Sequence, residues 1–284
     1  MAEALLFYSR IALNLNQLKS MDTTAKKYKI AFVGAGNVAW HLAQALATAG
    51  HEVVAVYSRQ EANRNELASI LPEAKTLSTP DFTALAVDII LIAVPDAALQ
   101  QVASELKVAP GSVVAHTSGS QPLAILNVVQ GAQPAVFYPL QTFSKAKPVN
   151  LQLVPILIEA ADESIAQALE ALAQSISSKV QRVDSEARKH LHLAAVFACN
   201  FTNHLLGISQ QLLQEANLPT ELLHPLVQET IAKAMQQHPY QAQTGPAIRH
   251  DDNVIQAHLQ MLQQHPRFQD LYQKLTESIQ VAKV

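Results

Sequence analysis

The chain has 284 residues, 49% of them hydrophobic, enough apolar sequence to bury a core in each of two ordinary domains. A formal net charge of −3 leaves no basic surplus, which excludes a function resting on neutralising the phosphates of nucleic acid. The one cysteine, Cys199, rules out an internal disulfide or a cysteine-built metal cluster; it reads as a small buried apolar residue in a reducing, cytoplasmic setting.

Residues 1–27 lack the basic start, apolar centre and small-residue cleavage site of a signal peptide, and are expected to form a leader outside the fold, with Met21 an alternative start. From Lys29 to Val33 a short apolar strand is expected, followed by an alanine- and leucine-rich helix from Asn37 to Ala49 that Gly50 ends. Glu52–Tyr57 reads as a second strand, Ala62–Leu71 as a helix and Ile89–Val94 as a fully apolar strand buried on both faces. No apolar run reaches the roughly 18–20 residues that span a bilayer, even Leu85–Val94 being broken by Asp88, so no membrane partner is expected. The alternation continues with a helix over Ala97–Leu106, a strand over Ser112–His116, a short helical piece over Leu123–Val129 and strands at Ala135–Tyr138 and Pro155–Glu159. A helix over Ser164–Ser175 and a strand over Lys179–Val183 complete it. Such alternation predicts a parallel, doubly wound α/β sheet over residues 28–183. Beyond Asp184 strand signals cease, and helices punctuated by Pro219, Pro239, Pro246 and Pro266 predict an all-α domain over 184–284.

Between the first strand and first helix lies Gly34-Ala35-Gly36-Asn37-Val38-Ala39, the G-x-G-x-x-A form of a dinucleotide-binding turn. Gly34 allows the tight turn, Gly36 lets the backbone approach a pyrophosphate, and Ala39 permits close helix-to-strand packing; the helix N-terminus then presents free N–H groups to the anion. An acidic residue at the end of the second strand would select NAD by binding its ribose hydroxyls. Here the sequence is Tyr57-Ser58-Arg59, a hydroxyl and a guanidinium suited to a 2′-phosphate, so NADP is the expected cofactor unless Arg59 merely caps a surface strand.

At the same sheet edge, Ala93, Val94 and Pro95 are expected beside the nicotinamide, with Asp96 either there or capping the next helix. His116-Thr117-Ser118-Gly119-Ser120 follows a further strand and offers candidate substrate contacts in His116 and Ser118, with His116 a general acid or a structural group. On the long helix after Asp184, Asn200, Asn203 and His204 share a face, to hold a substrate carbonyl or carboxylate or to satisfy a neighbouring helix. Arg249, in the polar turn Thr244-Gly245-Pro246 before Asp251, either clamps an anionic group of the substrate or forms a surface ion pair. His190 and His192 point to different helix faces, and no metal site is expected.

The segments GAGNVA, VPD, HTSGS, FYPLQTFS (Phe137–Ser144), VFACNFTNHLL and TGPAIRHD together resemble the bacterial proteins that pair a Rossmann-like domain with domain of unknown function 2520. The resemblance covers about residues 28 to 270. It implies an NADP oxidoreductase with the architecture of pyrroline-5-carboxylate reductase, ketopantoate reductase and the wider 6-phosphogluconate dehydrogenase group, and a homodimer built by the helical domain. Ketopantoate reductases and related hydroxyacid dehydrogenases place a lysine one turn before an asparagine that Asn200 matches; Val196 stands there in this chain. The expectation is therefore an NADP-dependent reductase of a small carbonyl or imine acting in the interdomain cleft, with His116, Ser118, Asn200, Asn203 and Arg249 facing the substrate and the proton donor unassigned. The competing readings are a non-catalytic NADP-binding sensor and a dimeric scaffold.

Overall fold

Alternating side chains on successive strands cover both faces of one eight-stranded sheet. Ile30 and Phe32 of strand β1 (Lys29–Val33) pack on one side with Leu42, Leu46 and Phe137, whereas Ala31 and Val33 pack on the other with Leu99, Val102 and Leu126. This computed structural model describes residues 26–71 and 73–282; the expected leader lies almost wholly outside them. By internal contacts the chain divides into two units, the first running to Ala194 and the second from Ala195.

In the first unit, β1 leads into helix α1 (Asn37–Thr48), β2 (Glu52–Tyr57), α2 (Glu61–Ser69), β3 (Lys75–Leu77), β4 (Ile89–Ile92), α3 (Asp96–Glu105), β5 (Val113–His116) and β6 (Gln133–Pro139). Then come β7 (Ile156–Ala160), α4 (Glu163–Gln174), β8 (Val180–Arg182) and α5 (Ser185–Ala195). The strand order is β3-β2-β1-β4-β5-β6-β7-β8. Gly50, at φ +92°, ends α1 and turns the chain into β2. Asp162 caps α4, its side chain accepting from Ser164 N at 2.8 Å and Ile165 N at 3.2 Å.

Two features depart from the expected wholly parallel sheet. Strand β3 was not foreseen; its three residues are largely exposed, so they carry no apolar signal. Strand β7 runs antiparallel to β6, pairing Tyr138 with Leu157 and Ala135 with Ala160. A parallel partner requires a crossover, usually a helix. Between Pro139 and Ile156 the chain makes only a 3₁₀ turn at Leu151–Leu153, so it comes back in the opposite direction.

The second unit continues from α5 through a π-helical stretch, Val196–Phe201, into α6 (Thr202–Glu215), then α7 (His224–Gln236), α8 (Asp252–Met261) and α9 (Pro266–Val281). Pro266 is the first residue of α9, where its missing N–H costs nothing. Among the described residues of this unit only Ala247, Ile255, Leu262 and Thr276 are buried. Cys199 is exposed, not buried as expected, because none of the side chains in the apolar stretch of the long helix is buried within the chain. That helix, Ser185–Glu215, also corrects the reading of the apolar runs: by length and composition one stretch of it is apolar enough to cross a bilayer.

Candidate active site

Strands β1, β4, β5 and β6 run parallel, so their carboxyl ends share one edge of the sheet, where ligands of open α/β folds bind. The glycine turn opens it. Gly34 has φ +103°, and a Cβ there would stand 2.1 Å from the Ala93 carbonyl oxygen, so no other residue fits without moving β4. Gly36 is the N-cap of α1 and a Cβ on it would meet nothing within 4 Å, leaving its approach open. The first intrahelical bond is Trp40 N to Gly36 O at 2.9 Å. The amides of Asn37, Val38 and Ala39 are therefore left over by the helix, and no acidic side chain occupies its first turn.

Beside this turn lies a cavity of about 360 Å³ lined by Gly34, Ala35, Gly36, Ser58, Arg59, Ala93, Val94 and Pro95. The turn is thus joined to the ends of β2 and β4, which is where the expected cofactor residues fall. Arg59 is exposed; Arg64, not singled out from the sequence, is mostly covered, donates to the Ser58 carbonyl at 3.3 Å and lies 3.7 Å from Glu61. The Asn37 side chain is occupied elsewhere, donating to the Phe143 carbonyl at 3.0 Å, so its backbone amide is the donor left for an anion. His41 makes a parallel contact with the Ser144 carbonyl at 2.9 Å, and the Phe137–Ser144 segment thereby braces α1. These features fit a dinucleotide with a 2′-phosphate: free amides for the pyrophosphate, no carboxylate against the ribose, and guanidinium charge at the end of β2.

The loop after β5 is fixed from below. His116 is fully buried; its Nδ1 accepts from Ser118 N at 3.2 Å, which leaves the proton on Nε2, where only the Pro122 carbonyl offers a weak interaction. Burial, reinforced by the positive charge of Arg188, holds the His116 pKa down to about 4. At neutral pH it is an uncharged, enclosed ring, which suits loop support and not proton donation. The Ser118 hydroxyl is buried too and accepts from Ser120 N at 3.1 Å and Gln121 N at 3.0 Å. Asp96 is the first residue of α3 and does not cap it; Pro95 takes the cap position, and Asp96 accepts a short hydrogen bond from the Ser120 hydroxyl.

Around this loop gathers a cluster that sequence reasoning missed. Arg188 of α5 is fully buried, paired with Glu159 of β7, and donates to the Gln121 carbonyl at 2.7 Å. The Ser185 hydroxyl lies 2.9 Å from both Glu159 oxygens and receives Leu123 N at 3.0 Å. One turn on, His192 Nδ1 is hydrogen-bonded to the Tyr138 hydroxyl at 3.2 Å. Gly119 makes this approach feasible: a Cβ would lie 2.6 Å from His192 Nδ1 and 2.8 Å from Tyr138 Oη. The available signals were the i, i+4 spacing of Arg188 and His192 and a tyrosine closing an apolar strand.

The first unit thus brings His116 and Ser118 together. Asn200, Asn203 and Arg249 belong to the second and are exposed, Asn200 within the π-helical stretch and Arg249 in the turn before α8. Asp251 stands at the N-cap of α8 without a side-chain capping bond. No group of three histidine, cysteine or acidic side chains with metal-binding geometry occurs among the described residues.

A family described as a Rossmann-like domain matches residues 16–139, and one described as domain of unknown function 2520 matches residues 154–279. A Bacteroides fragilis protein, named as a candidate NADP oxidoreductase, is 40% identical, with a TM-score of 0.80 over 90% of this chain and 99% of its own. Two more distant structures share the fold. An imine reductase from Myxococcus stipitatus, solved with NADP+, is 16% identical with TM-score 0.62 over 88% of this chain and 92% of its own. A 1-pyrroline-5-carboxylate reductase from Streptococcus pyogenes is 13% identical with TM-score 0.61 over 90% and 99%. No curated protein matches the sequence. With its glycine turn, eight-stranded sheet and helical second unit, the chain belongs to the family of proteins that join a Rossmann-like domain to domain of unknown function 2520.

Proposed function

We propose that this chain is an NADP-dependent oxidoreductase that reduces a C=O or C=N bond of a small molecule. The observation that carries the reading is the cradle itself: leftover amides at the start of α1, and one cavity joining the open Gly36 to the acid-free Tyr57-Ser58-Arg59 end of β2. The 40%-identical Bacteroides fragilis relative, named for NADP chemistry, supports it. Bound NADPH would supply a hydride. The backbone amides of Asn37 and Val38 hold the pyrophosphate, Ser58 and Arg59 hold the 2′-phosphate, and Val94 and Pro95 pack beside the nicotinamide. Asn200, Asn203 and Arg249 serve as polar groups for the substrate, Arg249 taking an anionic one. The test is NADPH oxidation with a panel of small ketones, keto acids and cyclic imines. Turnover of any member supports the reading, and tight NADPH binding with no turnover across the panel replaces it with an NADP-binding sensor.

The second unit is proposed to pair with a second copy of the chain. Phe197, Phe201, Leu205 and Leu212 are exposed along its long helix, and a unit of this length with so few buried residues lacks a core of its own. Sedimentation should find a dimer; a monomer that partitions into lipid vesicles would instead assign the apolar helix to a membrane.

A further inference from the structure

The dehydrogenase-type lysine position is Val196, and His116 is enclosed and uncharged, so a reductase built on this chain needs its acid from another side chain. We propose that Tyr138 is the catalytic acid, donating its phenolic proton to the oxygen or nitrogen of the reduced bond, with His192 as its positioning residue. The inference rests on the NADP reading above.

The placement supports it. Tyr138 is the penultimate residue of β6, and β6 is parallel to β5 and, through it, to β4, so its hydroxyl shares the sheet edge with Val94-Pro95 and the His116–Ser120 loop. In dinucleotide folds that edge receives the nicotinamide half. Tyr138 is only partly buried, unlike His116 and Ser118, and its hydroxyl is held 3.2 Å from His192 Nδ1. The missing Gly119 side chain makes room for both groups. The α5 backbone that carries His192 is anchored by the buried Arg188–Glu159 pair one turn earlier.

The charged groups facing Tyr138 are Asp96 from α3 and Arg188 from α5, with Glu159 behind Arg188 and the neutral His116 ring on β5. Burial raises the Tyr138 pKa, the Asp96 charge raises it further, and Arg188 opposes. The phenol therefore stays protonated at neutral pH, the form an acid requires.

The carbon of the C=O or C=N bond accepts a hydride from bound NADPH; the bond's π pair moves onto the heteroatom, which takes the proton from Tyr138 Oη. The resulting phenolate receives the Nδ1 proton of His192, whose ring regains a proton from water at Nε2. The products are an alcohol or amine and NADP+.

The chain contains six tyrosines, so the test reads Tyr138 as the difference between wild type and Tyr138→Phe in a near-ultraviolet tyrosinate titration, with occupancy checked by calorimetry. A cationic nicotinamide beside Tyr138 should lower its pKa by about one unit or more with NADP+ bound, compared with 2′,5′-ADP, which fills the same cradle without a nicotinamide. His192→Leu should raise that pKa, since the phenolate loses a donor. With any imine or ketone that wild type reduces, Tyr138→Phe should cut kcat about 100-fold while NADPH affinity stays within about twofold. If NADP+ binds but the Tyr138 titration does not move, Tyr138 is not at the nicotinamide and the inference fails while the cofactor reading stands. If neither nucleotide binds, both fall.

Discussion

Replacing Arg188 with Met removes a fully buried guanidinium and keeps most of its apolar volume. Glu159 then loses its charge partner, and the Gln121 carbonyl loses a donor at 2.7 Å. Removing one member of a buried ion pair costs about 3–5 kcal/mol, because the remaining charge is left uncompensated. The Glu159 side chain is 17% exposed and keeps the Ser185 hydroxyl, so water and one hydrogen bond relieve part of this, and the expected loss is about 3 kcal/mol. Urea denaturation followed by the fluorescence of Trp40, the one tryptophan, reads the first unit directly. A cycle with Glu159→Gln should show a coupling of at least about 1 kcal/mol, the double variant being less damaged than the sum of the singles. A loss under about 1 kcal/mol, or strict additivity, would refute the claim that this pair fastens α5 to the sheet.

The pH dependence follows from His116. Its folded pKa, about 4, lies below the unfolded value of 6.5, so the unfolded chain binds the extra proton across that interval. Stability therefore rises as pH rises from about 4 to 6.5 and is lost as pH falls through it, by on the order of 3 kcal/mol in full. His116→Asn should flatten the denaturation profile in that window; an unchanged slope would show that another group sets it. The two glycines of the turn should separate folding from binding. Gly34→Ala drives a Cβ to 2.1 Å from the Ala93 carbonyl at a positive φ and should lower Tm sharply, whereas a Cβ at Gly36 has nothing within 4 Å, so Gly36→Val should leave Tm nearly unchanged while abolishing nucleotide affinity. Equal thermal losses would remove the distinction.

Local signals in the sequence reached as far as local structure reaches. The G-x-G-x-x-A turn sits between a strand and a helix, and of the residues expected to hold the cofactor Gly34, Ala35, Gly36, Ser58, Arg59, Ala93, Val94 and Pro95 line one cavity, whereas Asn37 and Val38 do not. Strand β3 escaped because three largely exposed residues carry no burial pattern, and the direction of β7 escaped because strand periodicity is the same in either orientation. The π-helical stretch has no pattern of its own either, so Asn200, Asn203 and His204 were read on a uniform helix. His116 looked like a candidate acid because a strand-end histidine is polar and well placed; its complete burial, with the Arg188 charge adding to it, shows why it is neutral. The Tyr138–His192 contact joins residues 54 apart, and Arg188–Glu159 joins residues 29 apart, on the same helix but a different strand. Such pairs are created by topology, and no window along the chain contains both partners.

A 2′-phosphorylated dinucleotide is the ligand proposed for the cradle between β1, β2 and β4. Calorimetric titration with NADPH and NADH, on wild type and Arg59→Ala, tests it most directly. NADPH should bind at least about tenfold more tightly than NADH, and Arg59→Ala should remove about 1.4 kcal/mol or more of this preference. Equal affinities, or a preference untouched by Arg59→Ala, would contradict it.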